Sequence, residues 1–405
     1  MAGLVAAAFV CVLILWAVVG AAVIAVWTRD SRRHRRFQAA LARLNEWVSS
    51  GHPEDPTRGL DEKLGTFPPA FLLSCVADPS IPETSANVLS SWIASRWRRH
   101  LVRYAASTDP RQASRRVNAL RVLSRADGDV VPLLERALQD GDAEVVSAAI
   151  SLLGSTVDRR AAESLVGALR ENRYQPSRIA TALDRFPLPI PDLLRSLASD
   201  ANPIARFWGA TLLSRYGDAE GVADDMARLV RDPDPQVRKA AVETLGTVGG
   251  DNAAAAALGL LGDPVWYVRA HAARALGDLG LAELAPHVIG LLGDPQWWVR
   301  QAAKESLEKM GPGVWRDLVK CLDHPDAFAR NGAAEVLQNL GILDSLIVLE
   351  ASDDHPGADK IELLRKIAAA GGVRMTNALL ERTDAELSQR IRALLDRIGL
   401  EAAGA

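Results

Sequence analysis

Two stretches decide the fold: LLGDPVWYVRAHAARALGDLG over residues 260–280 and LLGDPQWWVRQAAKESLEKMG over residues 291–311. Asp263-Pro264 and Asp294-Pro295 read as an N-cap followed by proline at the first helical position, where the missing N–H costs nothing. Val268-Arg269 and Val299-Arg300 then open alanine-bearing amphipathic runs, and Gly277, Gly280 and Gly311 read as helix stops. A phrase recurring after about thirty residues, with two helices in each unit, is the signature of a solenoid.

The register extends well beyond these copies. If an aspartate and an arginine six positions later mark a unit, Arg206, Asp232 with Arg238, Arg330, Lys360 and Arg390 keep the same step. Upstream, Asp140 with Val146 and Asp109-Pro110 with Arg115 follow it roughly, and Asp78-Pro79 with Thr84 reads as a degraded copy. Between them the unit survives only as Asn172 and Arg178, among Pro176, Pro187, Pro189 and Pro191, the least regular point. The expected architecture is all-α, a right-handed α-solenoid of about ten helical pairs over residues 70–400, each pair burying its apolar face against its neighbours.

The Asp-Pro, Val-Arg, Ala-Ala, Leu-Gly phrase resembles HEAT-repeat (ARM-type) proteins of the short, bacterial, phycobilisome-lyase-like kind, over about four-fifths of the chain. That resemblance implies a ladder of aspartates and arginines along the stack. It would make Asp232, Arg238, Asp263, Arg269, Asp294, Arg300 and Arg330 structural.

The amino-terminal end is of another kind. Residues 3–27, GLVAAAFVCVLILWAVVGAAVIAVW, carry no charged side chain and are long enough to span a hydrocarbon core of roughly 30 Å. A cleaved signal peptide needs a positive leading region and a shorter apolar core, and neither is present. Arg29, Arg32, Arg33, Arg35 and Arg36 follow, against Asp30 alone, which places this flank in the cytoplasm and the amino terminus outside. The expected organisation is an anchor at 1–28, a basic juxtamembrane amphipathic helix at 29–50, a linker at 51–69 and the repeats at 70–400, on the cytoplasmic side of the inner membrane. Phe37, Ala40, Leu41, Leu44 and Trp47 share one face of that juxtamembrane helix, and proline and glycine punctuate the linker.

Composition agrees: 48% hydrophobic residues and a formal net charge of −3 describe a helical protein rather than a nucleic-acid binder. Cys11, Cys75 and Cys321 are too scattered for a disulfide framework or a Cys-x-x-Cys metal site. From Trp92 to Arg125, however, arginines 96, 98, 99, 103, 111, 115, 116, 121 and 125 face one acid, Asp109. With Arg32, Arg33, Arg35 and Arg36, the run Arg96, Arg98, Arg99 and Arg103 reads either as a surface for anionic headgroups or as helix faces that find acids elsewhere.

Aromatic residues are the other departure from the template. Trp266 and Tyr267, then Trp297 and Trp298, occupy the two positions before Val-Arg; Phe328 follows in the next unit, and Phe207 and Trp208 lie just after Arg206. Neighbours on a helix point about 100° apart, so in each pair one ring packs between repeats while the other looks elsewhere, and stacked repeats align the outward rings into a stripe; the alternative is that these matched aromatics are inter-repeat core. Exposed tryptophan and tyrosine are favoured anchors for protein partners.

Catalytic patterns are absent. None of the histidines at 34, 52, 100, 271, 287, 324 and 355 is followed by glutamate, the pair on which HEAT-like deoxyhypusine hydroxylases carry iron. His324 and His355 stand beside prolines at repeat joints and read as capping. No phosphate loop, HExxH or GxSxG occurs. No cofactor is expected, and the residues point to a non-enzymatic scaffold that binds protein partners at a membrane. The alternative implied by the resemblance is an accessory or lyase-like subunit handling a chromophore or other small molecule.

Overall fold

The computed structural model describes residues 81–398 except 127, 173, 218–219, 251, 353–356 and 371–382, together with 64–76 except 66, and positions 31, 32, 35, 38, 39, 42, 45, 46 and 60. The apolar run 3–27, Arg33, Arg36, Asp78-Pro79 and His355 lie outside the described residues. Among those described, every regular element is helical, and no single helix is long and apolar enough to cross a membrane. The chain forms two compact units, residues 1–165 with 185–188 and residues 166–184 with 189–405.

The first unit contains α1 (Pro69–Val76), α2 (Glu83–Ala105), α3 (Ala113–Arg125), α4 (Val131–Ala137) and α5 (Ala143–Ser155). Leu72, Leu89, Ile93, Leu120, Leu134 and Leu153 make its core. Leu60 and Leu64, inside the expected linker, are buried too. Within residues 29–50, the Asn45 side chain accepts a hydrogen bond from Ser85 Oγ of α2. Helix α2 is long but interrupted, since Trp97 leaves helical geometry at φ −128°, ψ 21°.

The second unit holds the end of α6 (Arg159–Glu171), α7 (Pro176–Asp184), and then a regular series. Short first helices alternate with longer second ones: α8 (Pro191–Ala198) with α9 (Pro203–Leu213), α10 (Val222–Leu229) with α11 (Pro235–Val248), and α12 (Ala253–Leu260) with α13 (Trp266–Leu279). The pattern continues as α14 (Ala285–Ile289) with α15 (Trp297–Met310), α16 (Trp315–Cys321) with α17 (Ala327–Asn339), and α18 (Ile342–Ser352) with α19 (Ala358–Ala369), before α20 (Ala385–Ile398). At the irregular point, Asn172 takes φ +50°, a left-handed conformation that asparagine tolerates better than most residues, and α6 ends there.

The Val-Arg motif explains the stacking. Val237, Val268 and Val299 are fully buried, as are the alanine pairs Ala272-Ala273 and Ala302-Ala303 in the following turn. Small residues let successive second helices approach closely. Gly277 belongs to that contact and is not a stop: it lies inside α13, and a Cβ there would come within 2.7 Å of Ser306 Cα on α15. Gly246 repeats the arrangement one unit earlier, 2.8 Å from Ala275 Cα. The helix ends are Gly280 (φ +68°) and Gly311 (φ +81°), where glycine is favoured because no Cβ clashes.

The Asp-Pro pairs do not all cap helices as their spacing predicts. Asp234 is an N-cap, accepting from the N–H groups of Gln236 and Val237, with Pro235 at the first helical position. Asp263 and Asp294 sit two residues ahead of the cap position. Helix α13 starts after Val265 and α15 after Gln296, neither of which caps through its side chain. Asp263 instead accepts from Val265 N at 2.8 Å, and Asp294 from Gln296 N at 2.8 Å, each through Oδ1, closing the turn and leaving Oδ2 and a further lone pair of Oδ1 to a partner from another repeat.

Candidate functional site

Arginines supply that partner. Arg206 grips Asp232 through Nε (2.7 Å) and Nη2 (2.9 Å). Arg238 grips Asp263 at 2.8 and 3.0 Å, and Arg269 grips Asp294 at 2.8 and 2.9 Å. In each case Nη1 also donates to the carbonyl of the aspartate that opens its own turn, Asp200, Asp232 or Asp263, so one guanidinium ties two repeats together. Such bidentate forks are among the stronger polar contacts in proteins. Donation to Asp232 and Asp263 holds Arg206 and Arg238 above the ordinary guanidinium range.

The ladder has variants in both directions. In the first unit the buried Arg116, not Arg115, donates to Asp140 at 3.0 Å and to the Asp109 carbonyl; Arg115 is exposed. At Asp200 the partner is Arg170, at 2.9 Å. Lys360 stands 2.6 Å from the fully buried Glu350. At the C-terminal end of the series His324 occupies the aspartate's place. Arg330 donates to the carbonyls of His324 and Pro325, both at 2.8 Å. Arg300 donates through Nη1 to Asp294 O (2.7 Å) and Pro295 O (3.1 Å), but no aspartate faces it.

The aromatic residues cluster beside this departure. Trp266, Trp297, Trp298 and Phe328 are 39%, 53%, 55% and 59% exposed, so these rings are not packed away between repeats. Within each pair the rings meet edge to face, 5.6 Å apart for Trp266 and Tyr267 and 4.7 Å for Trp297 and Trp298. Tyr267 is half-buried, as are Phe207 and Trp208, which pack against each other at 5.0 Å. The Arg300 guanidinium lies over the Phe328 ring, 4.3 Å from its centroid. Between α15 and α17 runs a groove of about 220 Å³, lined by Trp297, Arg300, Gln301, Lys304, Phe328 and Glu335. No motif signals a groove here; the lapse of aspartate at His324 is its one legible trace in the sequence.

The basic surface divides. Arg32 and Arg35 are exposed, and Arg96, Arg98, Arg99 and Arg103 are exposed on α2. After the break at Trp97, Arg99 and Arg103 follow a one-face spacing, together with the exposed His100. The Arg98 guanidinium lies against Gly128, in space that a Cβ there would fill. Beside these arginines Trp92 is buried and meets Trp97 edge to face at 5.5 Å.

No group of histidine, cysteine and acidic residues able to hold a metal occurs among the described residues. Cys321 is buried, which pushes its thiol up. His271 Nδ1 lies 2.7 Å from Glu243.

Comparison with known proteins gives a matching assignment for the regular series. Residues 190–265, 226–308 and 254–338 match the family model for HEAT repeats. No curated protein matches the chain. Among solved structures, the complex of CpcE and CpcF of phycocyanin lyase from Nostoc sp. PCC7120 is 19% identical at TM-score 0.32, over 52% of this chain and 96% of that one. Human deoxyhypusine hydroxylase is 20% identical at TM-score 0.27, over 63% of this chain and 99% of its own. An engineered protein is 18% identical at TM-score 0.32, over 52% and 99%.

Proposed function

We propose that the protein is a membrane-tethered adaptor whose HEAT repeats hold protein partners at the cytoplasmic face of the inner membrane. The observation that carries the reading is the run of exposed rings, Trp266, Trp297, Trp298 and Phe328, at the starts of three successive second helices, of which the arginine forks fix α13 and α15 in place. Large aromatic side chains left in water beside a groove are costly unless something covers them, and they are the residues that most often anchor an interface. The apolar run at 3–27 supplies the tether. The contact of Asn45 with Ser85 keeps the segment after it close to α2, whose exposed arginines suit anionic headgroups. Tethering raises the effective concentration of bound partners toward others in the same membrane.

The test uses the full chain, tagged and expressed in its own host. Membranes are washed at alkaline pH, solubilised in detergent and subjected to affinity purification, with the native protein beside a Trp266→Ala/Trp297→Ala variant. The expected result is retention in the washed membrane and a partner set that the variant loses while its helical content and melting stay unchanged. Extraction by the wash, or an identical partner set in the variant, overturns the proposal.

A further inference from the structure

Asp140, Asp200, Asp232, Asp263 and Asp294 each play two parts. Through Oδ1 each accepts the N–H two residues on, at 2.8–2.9 Å. Each also receives an arginine from earlier in the chain. His324 keeps only the first of these, because its Nδ1 accepts from Asp326 N at 3.1 Å and an imidazole has no second acceptor to offer Arg300.

Arg300 is nevertheless held as the other arginines are. Nη1 donates to two carbonyls and the guanidinium lies over the Phe328 ring, 4.3 Å from its centroid. A ring attracts the guanidinium's charge without accepting its strong in-plane N–H bonds, so the contact with Phe328 does not use up its donors. The edge formed by Nε and Nη2 is the one that takes a carboxylate in Arg206, Arg238 and Arg269, and in Arg300 it meets no acceptor among the described residues. The acids nearby are committed elsewhere. Asp294 takes Arg269, Asp326 accepts from Phe328 N at 2.7 Å, and Glu335 pairs with Lys304 at 2.8 Å. With Lys304 and Glu335 cancelling, the groove carries one uncompensated positive charge, on a guanidinium already oriented.

We infer that Arg300 is the docking point for an acidic side chain from a partner protein, which completes the interrupted ladder from outside while an adjoining apolar side chain of the partner lies against Trp297 and Phe328. This rests on the reading of the aromatic surface as a protein-binding site and names the chemistry it selects. Because the guanidinium is fixed before binding, little side-chain freedom is lost when the carboxylate arrives.

The experiment titrates the detergent-solubilised full chain, with ¹⁵N-labelled arginine, with an acetylated and amidated peptide Gly-Leu-Asp-Trp-Gly and its Asn counterpart. The expected result is a shift of the Arg300 Nε resonance by the Asp peptide, bound about tenfold or more tightly than the Asn peptide. In His324→Asp, which supplies the missing carboxylate from within, that preference disappears; in Arg300→Lys, which keeps the charge and loses the fork, it falls. Equal binding of the two peptides, weakened by Trp297→Ala but not by His324→Asp, overturns the inference and leaves the aromatic surface standing. No binding of either peptide at millimolar concentration overturns it as well, and the co-purification above then decides the broader reading separately. Binding only by a peptide with a free carboxyl terminus replaces the side chain with a chain end and also overturns the inference.

Discussion

Arg269 and Asp294 meet across a repeat boundary through two near-parallel hydrogen bonds, Nε to Oδ2 at 2.8 Å and Nη2 to Oδ1 at 2.9 Å, with side chains only 15% and 6% exposed. The pair differs in kind from Lys309 and Asp278, which also bridge neighbouring repeats but remain 54% and 43% exposed. Removing one member of a buried pair leaves the other desolvated and unpaired, whereas an exposed pair is screened by water. Arg269→Ala is therefore expected to cost about 3 kcal/mol and Lys309→Ala less than about 1 kcal/mol. Denaturant titration of both variants, with hydrogen exchange read in α13 and α15, checks the contrast; equal losses would contradict it.

Gly277 and Gly262 lie in the same repeat and face opposite circumstances. A methyl at 277 meets the backbone of α15 at 2.7 Å, while at 262 nothing lies within 4 Å. Gly277→Ala is expected to force α13 and α15 apart and destabilise the protein by about 1–3 kcal/mol, despite alanine's better helix propensity. Gly262→Ala should be nearly neutral. Thermal melting of the two variants side by side gives the answer.

Acid should loosen the ladder before base does. Burial pushes the Asp232 carboxyl up, but hydrogen bonds from Arg206 and from Asp234 N, with the charges of Arg206 and Arg238, outweigh burial and hold it below the ordinary 3.8. A depressed folded-state value means the stabilisation is complete above the unfolded value and drains away as pH falls through the folded one. Melting temperature should therefore hold level above about pH 5 and drop below about pH 4. Asp232→Asn, already lacking the charge, should start lower and fall less steeply over that interval.

The repeat was readable because its parts are local. Asp, Pro, Val and Arg recur at fixed offsets, and each also has a local part, as a turn closer, a helix starter, a buried stem or a donor to its own turn's carbonyls. What the offsets could not separate were residues with identical neighbours and different geometry. Asp234 and Asp263 both precede proline, yet one caps a helix and the other closes a turn ahead of it. Gly277 and Gly280 both stand near a helix end, but only the approach of Ser306 reveals that the first is a contact. Arg115 and Arg116 are adjacent, and burial alone chooses Arg116. The rings of Trp297 and Trp298 point in different directions on one helix, and which directions face water depends on α17, about thirty residues away. His324 was legible as a substitution in the pattern. Its effect on Arg300 was not, because the missing contact is between repeats.

The lapse at His324 also bears on how the array carries load. From Arg206 to Asp294 each seam between repeats is riveted by a fork that must be sheared through two bonds at once. The seam between α15 and α17 has no such rivet and is crossed by the more accessible pairs Lys304 with Glu335 and Glu308 with Asn339. Of the seams from α9 to α17, the one between α15 and α17 would part first under stretch, and a carboxylate seated on Arg300 would clamp it.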